Sequence, residues 1–136
     1  MNDVTVEMIK IYGTYKFDWM NYKICRNDLT YHHIVKKENG GKLTIDNGAL
    51  LTKRAHEYLH SIERLDVDLY ERINNVLKEI NEQKKSPSSS QREKINLLLL
   101  EYEIKYADKI IKKCKKLGKK RAMVATNMRI QSQKWK

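Results

Sequence analysis

The placing of the four histidines restricts this chain more than any other feature. All of them fall within 29 of the 136 residues, as His32-His33 and then His56 and His60, with Asn47 between the two pairs. Imidazole is the commonest neutral metal ligand, and helix residues four apart share a face, so His56 and His60 can close on one ion from the same side. The plain alternative is four unrelated surface histidines, but scattered residues have no reason to leave the other 107 positions empty. A fold that explains the pattern must bring together two short segments separated by 22 residues.

Local signals suggest how. Residues 29–35 are rich enough in β-branched and aromatic side chains to form a strand, and Glu38-Asn39-Gly40-Gly41 reads as a turn or loop. A second turn signal, Asp46-Asn47-Gly48, precedes the apolar run Ala49-Leu50-Leu51, and Thr52 is placed to cap a helix carrying His56 and His60. Strand, loop, strand and helix in about 30 residues make a ββα unit. Adjacent residues on a strand point to opposite faces, so His32 and His33 should have different jobs. If His32 joins His56 and His60 on a divalent cation, His33 is left beside it to take a proton from water, and Asn47 can reach back to hold His33 through its backbone or ring. These are the parts of a one-metal phosphodiesterase.

Charge points to the same substrate class. Lys+Arg 28 against Asp+Glu 17 gives +11 and a pI near 9.6, which suits a polyanionic partner. Residues 1–85 carry 14 basic and 13 acidic side chains, whereas residues 86–136 carry 14 and 4, so a basic arm follows a nearly neutral site. Cys25 and Cys114 lie far apart with no Cys-x-x-Cys, which suggests neither a disulfide framework nor a four-cysteine zinc site and fits a reduced cytoplasmic protein. The longest wholly apolar run is 97–100, too short for a membrane span, and Asp3 and Glu7 stand where a signal peptide needs basic then apolar residues. No targeting and no membrane insertion are expected.

Around the ββα unit, residues 4–31 show no clean period and are expected to supply a small lid or strand over the site. Leu69, Ile73, Val76, Leu77 and Ile80 recur at helical spacing and predict a helix over 68–84, ending before the Ser/Pro linker 85–90. Leu97, Leu100, Ile104, Ala107, Ile111 and Cys114 then step three and four alternately, three heptads of an amphipathic helix over 91–117. An antiparallel hairpin of these two helices is one explanation; a homodimer through helix 91–117 is the other.

From Tyr31 to His60 the residues resemble the HNH (ββα-metal) endonucleases. The likeness is carried by Tyr31-His32-His33-Ile34-Val35, Gly40-Gly41, Asp46-Asn47-Gly48, Leu50-Leu51 and His56-x-x-x-His60. The doubled histidine and the closing pair look most like the variant used by DNase colicins, and the flanks more loosely like small stand-alone HNH proteins of bacteria and phages. The resemblance implies His33 as general base, Asn47 as its orienting residue, and His32, His56 and His60 as ligands of one divalent ion, be it magnesium, manganese, zinc or nickel. It further implies cleavage of DNA to 5′-phosphate and 3′-hydroxyl ends. Family members with paired Cys-x-x-Cys motifs bind a structural zinc around this unit; here Cys25 stands alone, and the helical hairpin is expected to brace the fold instead.

Two other readings use the same residues. His56-Glu57-Tyr58-Leu59-His60 spells H-E-x-x-H, the zinc metalloprotease signature, but a protease leaves His32, His33, Asn47 and the positive charge unexplained, and Glu57 reads equally as an exposed helix residue. A nucleic-acid-binding protein with a structural or degenerate metal site is supported by Lys112, Lys116, Lys119, Lys120 and Arg121, placed to neutralise phosphates with little sequence information. Lys53 and Arg54, just ahead of the metal helix, are candidates to clamp the scissile phosphate. The whole chain thus reads as a small α+β protein, mostly α: a ββα-metal nuclease core over 1–67, a helical hairpin over 68–117 and a basic arm over 118–136.

Overall fold

The computed structural model describes residues 2–13, 16–25 and 28–110. Strands β1 (Leu29–His33) and β2 (Gly48–Thr52) pair antiparallel, with His32 opposite Ala49 and His33 opposite Gly48. Two strands are too few to persist alone in water, and here helices cover them. α1 (Asp3–Tyr12) packs on β2 and on the 3-10 turn before it. α2 (Lys53–Leu65) leaves β2 without a linker, because Thr52 ends the strand and caps the helix, its hydroxyl accepting from the Ala55 amide at 3.2 Å. The expected ββα unit is therefore present within a mostly helical α+β fold.

α3 (Val67–Gln83) follows after the single residue Asp66, whose carboxylate accepts from the Leu69 amide at 3.1 Å. It buries the predicted stripe Leu69, Ile73, Val76, Leu77 and Ile80, and it ends where Lys84 turns left-handed at φ 53°. α4 (Ser89–Lys105) opens on a reciprocal cap between Ser88 and Gln91 and returns along α3 to complete the hairpin.

The hairpin uses a different face of α4 from the one the heptad spacing predicts. Leu97 and Ile104 are 58 % and 70 % exposed, whereas Leu99 is fully buried beside Ile95 and Tyr102. Four successive leucines put apolar surface on every side of the helix, so their period cannot select a face. Polar residues select it instead. Arg92 turns inward to donate to the Asp18 carbonyl at 2.8 Å and to Asn21 Oδ1 at 2.9 Å, and Asn96 accepts from Asn21 Nδ2 at 2.8 Å. These bonds grip residues 16–24, a tight turn closed by an isolated bridge between Phe17 and Lys23.

Nor do the first residues form a lid. Thr5, Met8 and Tyr12 lie on the buried side of α1, and Tyr12 donates to the Asn81 carbonyl at 2.6 Å. A side chain at Gly48 would overlap the Tyr31 ring and the Met8 sulfur, which fixes glycine opposite His33. Asn81 in turn donates to the Ile45 and Gly48 carbonyls, at 2.6 and 2.7 Å. One core cluster runs through all four helices and both strands; each fully buried leucine or isoleucine in it adds roughly 1.5–3 kcal/mol.

Candidate metal centre

β1 places its side chains by simple alternation. Thr30 and His32 face α2, whereas Tyr31 and His33 share the other side, their rings meeting edge-on at 4.8 Å. On α2, Ala55, Leu59 and Ile62 form the buried row, and the next row round the helix is His56, His60 and Glu63. That row sits at the margin of the core rather than inside it, and it looks across at His32. Among the described residues, His32, His56 and His60 offer three nitrogen atoms within 4.8 Å of one another. They line an open cavity of about 710 Å³, together with His33, Lys36, Lys37, Glu63 and Tyr70.

Each of the three imidazoles has its other nitrogen occupied by an oxygen. The Thr30 hydroxyl gives its proton to the Leu51 carbonyl at 2.8 Å, so towards His56 Nδ1, 3.1 Å away, it acts as acceptor. Asn74 donates through Nδ2 to the Ile34 carbonyl at 2.7 Å, which turns its Oδ1 to His32 Nε2 at 2.9 Å. The Glu63 carboxylate can only accept, and it lies 3.3 Å from His60 Nδ1. These oxygens favour a ring proton on Nε2 of His32 and on Nδ1 of His56 and His60, which makes His32 Nδ1 and Nε2 of the two helix histidines the candidate ligand atoms. Histidines held this way fit a divalent cation.

Burial supports the same state. It holds His32, only 2 % exposed, down at about 4, with further depression from His56, His60 and His33 against the opposing Asn74 bond. It lowers His56 as well, with His60 and His33 adding to the effect. Neutral imidazole is the form that ligates. Burial alone would push the Glu63 carboxyl up, but its ion pair with Lys36 and its bond to His60 outweigh this and hold it below the usual carboxylate range.

His33 stands apart from this network. It lines the cavity beside the three, and among the described residues its ring has no hydrogen-bond partner. Asn47 holds the two residues that follow His33, not the ring itself. Its Oδ1 accepts from the Val35 amide at 2.8 Å, its Nδ2 donates to the Val35 and Lys42 carbonyls, and its own carbonyl accepts from the Ile34 amide at 2.9 Å. Gly41 belongs to the same clamp, since a Cβ there would overlap the Val35 carbonyl.

Lys53 and Arg54 do not line the cavity. Lys53 is exposed, and Arg54 donates to the Lys23 carbonyl at 3.0 Å with its guanidinium 5.9 Å from the Tyr22 ring centre. The cations at the cavity are Lys36 and Lys37, on the turn after β1. Glu57 is exposed and off the cavity, which removes the base that the protease reading needs. Lys112, Lys116, Lys119, Lys120 and Arg121 lie outside the described residues. Sequence reasoning missed Thr30, Asn74, Lys36 and Tyr70 as parts of the site; only Glu63 had a readable signal, seven residues on from His56 and three from His60.

The model of the HNH endonuclease family matches residues 16–61, about a third of the chain. No curated protein and no solved structure matches it.

Proposed function

We propose that this chain, which carries an HNH endonuclease domain over residues 16–61, hydrolyses DNA phosphodiester bonds with a divalent ion held by His32, His56 and His60 and with His33 as general base. The observation that carries the reading is that His32, His56 and His60 bring nitrogen atoms within 4.8 Å of one another at one cavity, each ring also beside an oxygen of Asn74, Thr30 or Glu63, with His33 at the cavity's edge. His33 takes a proton from water, the water oxygen attacks phosphorus in line, and the bond to the 3′ oxygen breaks, that oxygen taking a proton from solvent water, which gives 5′-phosphate and 3′-hydroxyl ends. A cation on the three nitrogens would draw charge from a phosphate oxygen and steady the leaving oxygen. Lys36 and Lys37 are placed to hold flanking phosphates, and Asn47 keeps His33 at its height by pinning Ile34 and Val35. Three imidazoles favour zinc or nickel by affinity, while magnesium or manganese suits turnover on phosphate.

In this reading residues 1–67 carry the chemistry, 68–117 brace it and 118–136 track the DNA backbone. The work is done in the cytoplasm of a bacterial cell or a phage-infected host; no described helix is long and apolar enough to cross a membrane. The exposed stripe Leu97, Leu100 and Ile104 supports self-association through α4. Sedimentation of wild type against Ile104→Glu tests this, and an unshifted monomer in both removes it.

The deciding experiment is supercoiled plasmid at low salt, with magnesium, manganese, nickel or zinc against EDTA. Metal-dependent relaxation should fall about 10²–10⁴-fold in His33→Ala and persist in Glu57→Gln. Binding without cleavage under every metal would leave a nucleic-acid-binding protein with a structural site.

A further inference from the structure

Asn74 lies on α3, beyond the family-matched segment, and touches β1 at His32 and the residue just after the strand, Ile34. Its Oδ1 is 2.9 Å from His32 Nε2, and its Nδ2 donates to the Ile34 carbonyl at 2.7 Å. His33 is the residue between these two contacts. On the opposite edge, the Asn47 carbonyl takes the Ile34 amide and its side chain takes both polar groups of Val35. The end of β1 is thus held from two sides, by one amide from the loop and another from a helix 42 residues from His32.

We infer that Asn74 is a positioning residue, which fixes the His32 tautomer with its Oδ1 and the height of His33 with its Nδ2 and so couples the appended helix to both halves of the site. The inference rests on the metal-centre reading above. Its chemistry is specific. The side chain must present an acceptor to the imidazole N–H and a donor to a carbonyl at the same time, and the two ends of one asparagine amide do both. Oxygen partners of this kind set ligand orientation and basicity, and losing one typically weakens metal binding about 10–100-fold.

The two contacts are separable by substitution. Asn74→Leu keeps the size and removes both; Asn74→Asp keeps the acceptor for His32 and removes the donor to Ile34. Titration of the full chain with zinc or manganese ion alone, beside thermal melts without metal, should show affinity lowered about 10–100-fold in the leucine variant and kept within a few-fold in the aspartate variant. Plasmid cleavage by the aspartate variant should then lose kcat at unchanged KM, because His33 alone has shifted. Metal affinity equal to wild type in Asn74→Leu, or loss in Asn74→Asp as large as in Asn74→Leu, overturns the inference and makes Asn74 plain structural glue. Should the leucine variant fail to fold, the aspartate variant still decides, since metal binding weakened about tenfold or more in a folded Asn74→Asp protein is incompatible with the proposal. A folded wild-type chain that takes up neither ion overturns the metal centre itself, and this inference with it.

Discussion

The Thr30 hydroxyl stands between two partners, donating to the Leu51 carbonyl at 2.8 Å and accepting from His56 Nδ1 at 3.1 Å. A threonine on the strand therefore orients a histidine on the helix. Thr30→Val keeps the shape but leaves the His56 N–H without an acceptor, and should weaken zinc binding by roughly tenfold while Thr30→Ser restores it. Calorimetric titration checks this; equal affinity in valine and threonine proteins would remove Thr30 from the site.

The four histidines were legible because their geometry is local. Alternation along a strand and a four-residue step on a helix both follow from spacing, and Thr52, His56 and His60 needed no knowledge of the rest of the chain. Their partners were not legible for the converse reason. Thr30 lies 26 residues from His56 and Asn74 lies 42 from His32, so only tertiary packing introduces them. On α4 the hairpin was readable but its contact face was not, since 97–100 are all leucine and the choice rests on Arg92 and Asn96 bonding to a turn that shows no period of its own. α1 escaped notice because its inward row, Thr5, Met8 and Tyr12, is only partly apolar.

Asp66 links stability to acid. It caps α3, and the Lys105 ammonium, the Leu69 amide and the Tyr106 hydroxyl hold its carboxyl down at about 2. A carboxyl depressed in the folded state stabilises the fold at neutral pH, and that contribution drains as pH falls from about 5 to about 2. Lys105 is largely exposed, so solvent screening trims its share, the largest of the three, and the cap adds to what is left. Asp66→Ala should cost about 1–2 kcal/mol in urea unfolding at pH 7, with the gap to wild type narrowing in acid; a gap independent of pH would show that the charge plays no part.

Tyr70 presents the opposite case. Its hydroxyl is buried without a hydrogen-bond partner among the described residues, beside the cavity and beneath Lys36. Tyr70→Phe should raise stability by about 1 kcal/mol, since it removes an unpaired polar group. Thermal melts with and without metal measure it; an unchanged or lowered melt would show that the hydroxyl does not cost the fold stability.

Truncation after Leu117 removes six basic residues, Lys119, Lys120, Arg121, Arg129, Lys134 and Lys136. If the arm tracks phosphates, the slope of log affinity against log salt should become shallower by up to about 5, with metal binding intact. A slope identical to the full chain would exclude the arm from the interface.

The hydrogen bonds of Asn74, Asn81 and Arg92 to residues of the 16–61 segment have a consequence for how portable that segment is. Excised at the family boundary, it would lose the amide behind His32, the donor to the Gly48 carbonyl and the guanidinium that holds the turn at Asp18. The 16–61 segment leans on α3 and α4 for three of its internal supports, so a piece meant to keep the histidine geometry should carry those helices with it.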